Sequence, residues 1–320
     1  MKIVIPGGSG QVGTLLARAF SARGDEVVVL SRQPANAPWR TVAWDAVTVG
    51  SWASEFEGAD VVINLAGRSV NCRYTAENRR QILDSRVYST QAVGKAIAQA
   101  TCPPRIWLQA STATIYGHRF EAVNDEAGGL IDDDAPGAPP SWRFSVTVAK
   151  AWEEAAIAAA TPQTRKILLR SAMIMSPDRD GIFDTLLRLV RFGLGGPAGD
   201  GRQYVSWLHD HDFVRAVEWL ISRSDLDGPV NLASPNPLPY RAFMRALRSA
   251  WGIPIGLPAT RLMVEIGAFL LRTESELALK SRRVVPGRLL ASGFAFNWPE
   301  WPAAARDLCD RWRGTGKSRL

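Results

Sequence analysis

Gly7, Gly8, Gly10 and Gly13, with Ser9, Gln11 and Val12 between them, are spaced to hold a phosphate chain against the start of a helix. The apolar run Lys2-Ile3-Val4-Ile5 precedes them, and Val12, Leu15, Leu16 and Phe20 follow at helical spacing. A second apolar run, Glu26 to Leu30, ends at Ser31-Arg32. Strand, glycine turn, helix, strand is the order of a dinucleotide-binding unit, whose pyrophosphate meets backbone N–H groups at the helix N-terminus. Gly7 or Gly8 permits the turn, Gly10 removes a Cβ from the path of the phosphates, and Gly13 lets the helix pack close to the sheet. A chain preferring NAD would carry Asp or Glu at the tip of the second strand, for the ribose 2′-hydroxyl. Here Asp25 and Glu26 lie at the strand's other end. Ser31 and Arg32 stand at the tip, where a hydroxyl and a guanidinium can hydrogen-bond and pair with a 2′-phosphate. The cofactor expected is therefore NADP.

Positioning these residues requires alternating strands and helices, which argues for an α/β fold with a Rossmann-like, doubly wound parallel sheet. Further strands are predicted at Thr41–Trp44, Asp60–Leu65, Arg105–Ala110, Lys166–Arg170 and Val230–Leu232. Helices are predicted from about Thr75 to Ala100, around Val148 to Ala160, and from Asp212. A polar loop spans 117–141. Residues 1–175 read as the NADP-binding domain, with 206–234 returning to it. Residues 176–205 and 235–305 read as a smaller, mostly helical substrate-side lobe over the C-terminal edge of the sheet, where α/β folds bind ligands. Residues 306–320, with Arg311, Arg313, Lys317 and Arg319, read as a basic C-terminal tail.

A chain of 320 residues with 46% hydrophobic and 22% charged content is an ordinary globular protein. Its net charge of +7 is scattered, and no nucleic-acid-binding motif accompanies it. No apolar stretch is long enough for a membrane span, and the first strand begins at residue 2, leaving no room for a signal peptide. Cys72, Cys102 and Cys309 are odd in number and widely spaced, which points to a reducing, cytoplasmic setting without disulfides or a zinc site. His209 and His211 flank Asp210 near a helix start; further metal ligands are missing, and capping by Asp210 or Asp212 is the preferred reading. Trp107, Trp152 and Trp219 sit in apolar patterns and read as core.

Three loops are placed to meet the nicotinamide half of the cofactor. Asn64-Leu65-Ala66-Gly67 follows the fourth strand, Ala110-Ser111-Thr112-Ala113-Thr114-Ile115-Tyr116 ends the fifth, and Ser171-Ala172-Met173-Ile174 follows the sixth. Together with the glycine turn they resemble the extended short-chain dehydrogenase/reductases. That resemblance assigns Thr112 to polarising a substrate oxygen, and Ala110, Ser111, Met173 and Ile174 to the cofactor's surroundings. The superfamily places a Tyr four residues before a Lys on one helix face, so that the ammonium draws the phenol's pKa toward neutrality. Here Lys150 is preceded at that spacing by Val146, which cannot transfer a proton. Tyr116, His118 and Tyr74 are the alternative proton donors, each weighed against a structural role.

Ser85-Arg86, Trp152-Glu153, Gly193-Leu194-Gly195-Gly196-Pro197, Ser206-Trp207-Leu208-His209 and Arg283-Val284-Val285-Pro286 extend the likeness over nearly the whole chain. The sequence resembles the atypical "epimerase family protein" subgroup, which carries a C-terminal domain of unknown function. The resemblance implies NADP binding through Ser31, Arg32, Leu65 and Ala66, with Gly67 close by. It adds contacts from Gln81, Arg86 and the loop near Ile174. It leaves two readings of function. One is an NADP-dependent oxidoreductase or epimerase acting on a small or nucleotide-linked substrate, with Thr112 and Lys150 as catalytic residues. The other is a non-catalytic NADP-binding regulator or redox sensor acting through a protein partner. A polar cavity beside Thr112 would favour the first, an apolar plug the second. A homodimer is a common assembly for this fold.

Overall fold

The computed structural model describes residues 1–131, 140–260, 262–265 and 276–317. Seven parallel strands form the central sheet: β1 (Lys2–Pro6), β2 (Glu26–Ser31), β3 (Arg40–Ala43), β4 (Val61–Asn64), β5 (Ile106–Thr112), β6 (Arg165–Ser171) and β10 (Gly228–Leu232). Their spatial order is β10-β6-β5-β4-β1-β2-β3. Sequence order reverses between β1 and β4, which opens a crevice at their C-terminal ends.

Alternation along the strands decides which helix covers which face. Ile3, Ile5, Val27, Val29 and Ile63 face one way, onto Leu16 and Phe20 of α1 (Gln11–Ala22) and Phe213, Val217 and Leu220 of α5 (Asp210–Ser222). Val4, Val28, Leu30 and Val62 face the other, with Val93 and Ile97 of α2 (Ala76–Gln99) and Ala156 of α3 (Pro140–Ile157). Strands buried on both sides explain the unbroken Val/Ile runs. Helix α3 begins eight residues ahead of the predicted start. Pro140 is its first residue, where a missing N–H costs nothing. No helix among the described residues is long and apolar enough to cross a membrane.

A second core lies beyond the sheet's C-terminal edge. Phe183, Leu187 and Val190 of α4 (Ile182–Arg191) meet Phe243, Met244 and Leu247 of α6 (Tyr240–Trp251). The final helix, Trp301–Lys317, adds Trp301, Leu308, Cys309 and Trp312. Trp301 stacks on Phe243 at 4.0 Å, and Trp312 donates to Asp184 at 2.8 Å. This corrects the reading of 306–320 as a tail. Residues 306–317 are helical, their apolar side buried, and Arg311 grips the Asp210 carboxylate at 2.7 and 2.9 Å. Arg319 lies outside the described residues. Two small strand pairs tie this lobe to the sheet. β7 (Met173–Met175) runs parallel to β9 (Trp207–His209), and β8 (Tyr204–Val205) antiparallel to β11 (Leu238–Pro239).

Candidate functional site

The glycine turn does its work by contact. Gly7 has φ +74°, and a Cβ there would lie 2.6 Å from the Ala66 Cα, so this position brings the β1 and β4 turns together. A Cβ on Gly13 would lie 2.4 Å from the Gly8 Cα, which fixes the close approach of α1. Gly10 is different: the nearest protein atom to its Cβ would be 3.9 Å away. Nothing in the chain demands glycine there, which suits a position kept clear for a ligand. Helix α1 starts with no side-chain cap and no acidic residue in its first turn, so its amides are left for an anion. The Gln11 Nε2 is buried there without an acceptor. Val12 packs into the core.

A cleft of about 750 Å³ runs from this turn to Ser31, Arg32 and Trp44 on one side and to Leu65, Ala66, Gly67 and Ser85 on the other. The Ser31 hydroxyl bonds to Ser9 and Gln33 at 3.1 Å. Arg32 is exposed on the wall of this cleft, with no hydrogen bond or ion pair to another described residue. Asn64, buried at the end of β4, braces the opposite wall from behind. Its Oδ1 accepts from the Ala66 N–H at 3.1 Å, and its Nδ2 donates to Gln109 at 2.9 Å. An uncapped helix start, a glycine without steric cause and an unpaired arginine fit a phosphorylated dinucleotide.

Thr112 stands beyond Gly67, where two smaller cavities of about 180 and 130 Å³ meet. Its Oγ1 accepts from the Thr114 N–H at 3.1 Å, which fixes the hydroxyl at the strand end. Met173 lines the larger cavity with Gln203, Ser206, Lys280 and Arg282. Tyr74, Arg86, Ser145, Trp152 and Glu276 line the smaller. The space beside Thr112 thus has polar and charged groups set into walls that are otherwise apolar, with Val70, Ile82, Phe144 and Val205 among them.

Lys150 is not brought to this site. Helix α3 turns Val146 and Ala149 into the protein and leaves Lys150 exposed, while Ser145, Val148 and Trp152 face the cavity. Lys150 and the cavity-lining residues thus lie on different faces of α3. The residue that does face the cavity, Ser145, donates to the Glu276 carboxylate at 2.6 Å. Glu276 also lies 3.5 Å from Lys280 and from Arg282. Neither Ser145 nor Glu276 was singled out from the sequence. The i, i+3, i+7 spacing of Ser145, Val148 and Trp152 was the signal available for the first.

Other expected contacts also fall elsewhere. Gln81 is exposed on α2 and hydrogen-bonded to Glu77, outside all three cavities. Ser111 donates to Glu153 at 2.6 Å, and Ile174 packs against the sheet core. Ala110 accepts from Gln109 through its carbonyl and lines none of these cavities. Tyr116 is fully buried, donates to Asn231 at 2.9 Å and accepts from Arg170 at 3.0 Å. Burial raises its pKa, Arg170 pulling the other way, so it is a structural phenol. His118 accepts from the Ser281 N–H at 2.8 Å, which makes it a brace. Of the three alternative donors, Tyr74 alone lines one of these cavities.

Arg86 is half-buried between the two regions. Its Nη1 donates to the Arg68 and Ile82 carbonyls, and its guanidinium lies 4.9 Å from the Trp152 ring centre. Desolvation pushes its pKa down to about 10, with Tyr74 opposing. Behind the site, Arg170 and Glu153 form a buried bidentate pair at 2.7 and 2.8 Å that ties β6 to α3. Of the His209-Asp210-His211 trio, His209 is held by Asp307 and Asp210 by Arg311, while His211 is exposed. His209 caps α5 by accepting from the His211 N–H, and its other nitrogen meets Asp307 at 3.0 Å. The cap is His209, with Asp210 and Asp212 in the first turn rather than at the cap.

Residues 3–233 match the family model described as the NAD dependent epimerase/dehydratase family, and residues 260–308 match a domain of unknown function, DUF1731. The epimerase family protein SDR39U1 of Bos taurus is 33% identical over 312 residues, covering 96% of this chain and 99% of that one. The epimerase family protein YfhF of Bacillus subtilis is 27% identical over 318 residues, covering 96% and 98%. The crystal structure of human SDR39U1 (isoform 2) with NADPH superimposes with a TM-score of 0.84 at 27% identity, covering 97% of this chain and 99% of that one. With its seven-stranded parallel sheet and glycine turn, the chain belongs to the NAD dependent epimerase/dehydratase family, in the branch that carries a C-terminal DUF1731 domain.

Proposed function

We propose that this protein is an NADP(H)-dependent oxidoreductase acting on a small carbonyl or alcohol substrate. The observation that carries the reading is the space beside Thr112, of about 180 and 130 Å³ in two joined parts, with a Ser145–Glu276 hydrogen bond in its wall. NADP is preferred over NAD because Arg32 is an exposed, unpaired guanidinium beside Ser31 in the cleft wall. The bound NADPH of the human relative supports the same choice. The Gly7–Gly13 turn would hold the pyrophosphate, with Leu65, Ala66 and Gly67 against the ribose beyond it and Met173 near the nicotinamide.

Bound NADP(H) would supply or accept a hydride; the chain must orient the substrate oxygen and move one proton. Thr112, fixed by the Thr114 N–H, offers its hydroxyl to that oxygen. Ser145 passes the proton between the oxygen and the Glu276 carboxyl, the role a tyrosine plays elsewhere in the superfamily. When an alcohol is oxidised, Glu276 accepts the proton through Ser145; in reduction it returns it. Lys280 and Arg282, each 3.5 Å from Glu276, offset the cost of keeping a carboxylate in a buried place.

Calorimetry with NADPH and NADH tests the cofactor half, with Arg32→Asp as the control. Single-turnover absorbance at the nicotinamide band, over a panel of carbonyl substrates, tests the chemistry. Tight NADPH binding with no hydride transfer to any substrate would turn the reading toward a sensor.

A further inference from the structure

Two guanidinium groups face the space beside Thr112 with donors to spare. Arg282 lines both cavities, is 9% exposed, and has its Nε buried without an acceptor. Its Nη2 reaches the Glu276 carboxylate only at 3.5 Å, beyond the range of a strong charge-assisted hydrogen bond. Glu276 spends its shorter bond on Ser145, at 2.6 Å. Arg86 lines the smaller cavity from α2. Its Nη1 donates to two backbone carbonyls, and no carboxylate pairs with it among the described residues. A desolvated guanidinium with only a long ion pair, as in Arg282, or with no carboxylate, as in Arg86, is costly, and an incoming oxyanion recovers that cost. The planar fork of arginine suits the two oxygens of a carboxylate or phosphate.

Size narrows the choice further. The cavities, of about 180 and 130 Å³, meet at Val70, Thr112, Thr114 and Arg282. Each is below the roughly 300–1,000 Å³ of pockets that take drug-sized ligands. Among the described residues this is space for a nicotinamide ring and a substrate of a few heavy atoms.

Resting on the NADP(H) reading above, we propose that the substrate is a small organic acid or small phosphate ester. Its oxyanion is bound by Arg282 together with Arg86, which sets its carbonyl or hydroxyl oxygen against Thr112. On this arrangement Arg282, from the C-terminal domain of unknown function, selects the substrate. The partner reaction that supplies this substrate yields small anionic carbonyl compounds or alcohols rather than nucleotide-linked sugars.

The test is a binding titration followed by ligand-observed NMR, on the full chain, with and without saturating NADPH. The probes are 2-oxobutyrate, oxalate and glycerol 3-phosphate, against 2-oxobutyramide, glycerol and UDP-glucose. At least one acid is expected to bind, and its neutral counterpart to bind on the order of tenfold more weakly or worse. Carboxylate and phosphate arms tell the two oxyanion sources apart. Arg282→Gln should lose on the order of tenfold or more in acid affinity, Arg282→Lys should keep part of it, and NADPH affinity should not move in either. The inference is overturned if no acid binds at about 10 mM, where millimolar complexes are populated. It is equally overturned if UDP-glucose binds in preference, or if Arg282→Gln binds the acids as before. A protein that failed to bind NADPH would sink the cofactor reading, while the nucleotide-free arm would still score the oxyanion site.

Discussion

The cofactor cleft and the cavity beside Thr112 are built on opposite plans. The cleft takes its decisive groups from two short stretches, the turn at residues 7–13 and the strand tip at 31–32, with one wall from 64–67. The cavity gathers Thr112, Ser145, Gln203 and Arg282 from four places spread over most of the chain. The cleft works largely through backbone amides and absent side chains, which tolerate change around them. The cavity works through side-chain hydrogen bonds and ion pairs whose partners are far apart in sequence. A family can therefore keep its cofactor while exchanging its chemistry, because the two sets of constraints fall on different residues.

The largest effect that would sharpen this contrast lies behind the cavity. Glu153→Ala leaves Arg170 buried and unpaired and should cost about 3–5 kcal/mol of stability in a denaturant titration. A cost near zero would mean that the cavity does not depend on distant pairing. Arg32→Asp should remove about 1.5–3 kcal/mol of NADPH affinity, with little change for NADH and none in Tm. Equal losses for both nucleotides would break the division of labour. Ser145→Ala removes a hydrogen bond to Glu276 and should cost about 1 kcal/mol of stability. Its larger signature is turnover, expected to fall by roughly 10²-fold or more while NADPH affinity holds.

Smaller effects follow. Burial holds the His209 imidazole below its ordinary value of 6.5, with Asp210 and Asp307 opposing. Just below that value the unfolded chain binds a proton that the native chain does not. Its contribution to stability is therefore present above 6.5 and is lost as pH falls through the native pKa. The fall of Tm between about pH 7 and 5 should be shallower in His209→Asn. Lys150→Ala, at an exposed position, should change stability by less than about 0.5 kcal/mol and leave turnover intact. A collapse of activity in that variant would restore the familiar lysine.

The parallel sheet, the glycine turn and the place of Arg32 on the same cleft were legible because their meaning is local: short stretches at fixed spacing specify a backbone path. Thr112 was legible through resemblance at a strand end. Lys150 misled because a four-residue spacing says that two residues share a helix face without saying which face. That choice is made by Trp142, Val146 and Ala149, which bury the other side. Ser111 misled similarly, since Glu153 on α3 claims its hydroxyl. Glu276 and Arg282 were out of reach, because only the folded chain sets them against Ser145 and Thr112. The basic end of the chain looked like a tail because its arginines are conspicuous, whereas Leu308, Cys309 and Trp312 among them do the packing.

That final helix has a consequence for how the molecule is made. Leu308 and Trp312 complete a core begun by Phe183 and Trp207, more than a hundred residues upstream. During synthesis the sheet has its strands well before this helix leaves the ribosome, so the lobe waits half-assembled, its indoles and phenyl rings wet, until the helix Trp301–Lys317 emerges. A stop codon at Arg306 would spare the whole glycine turn and still leave that interior, without Leu308, Cys309 and Trp312, open to aggregation.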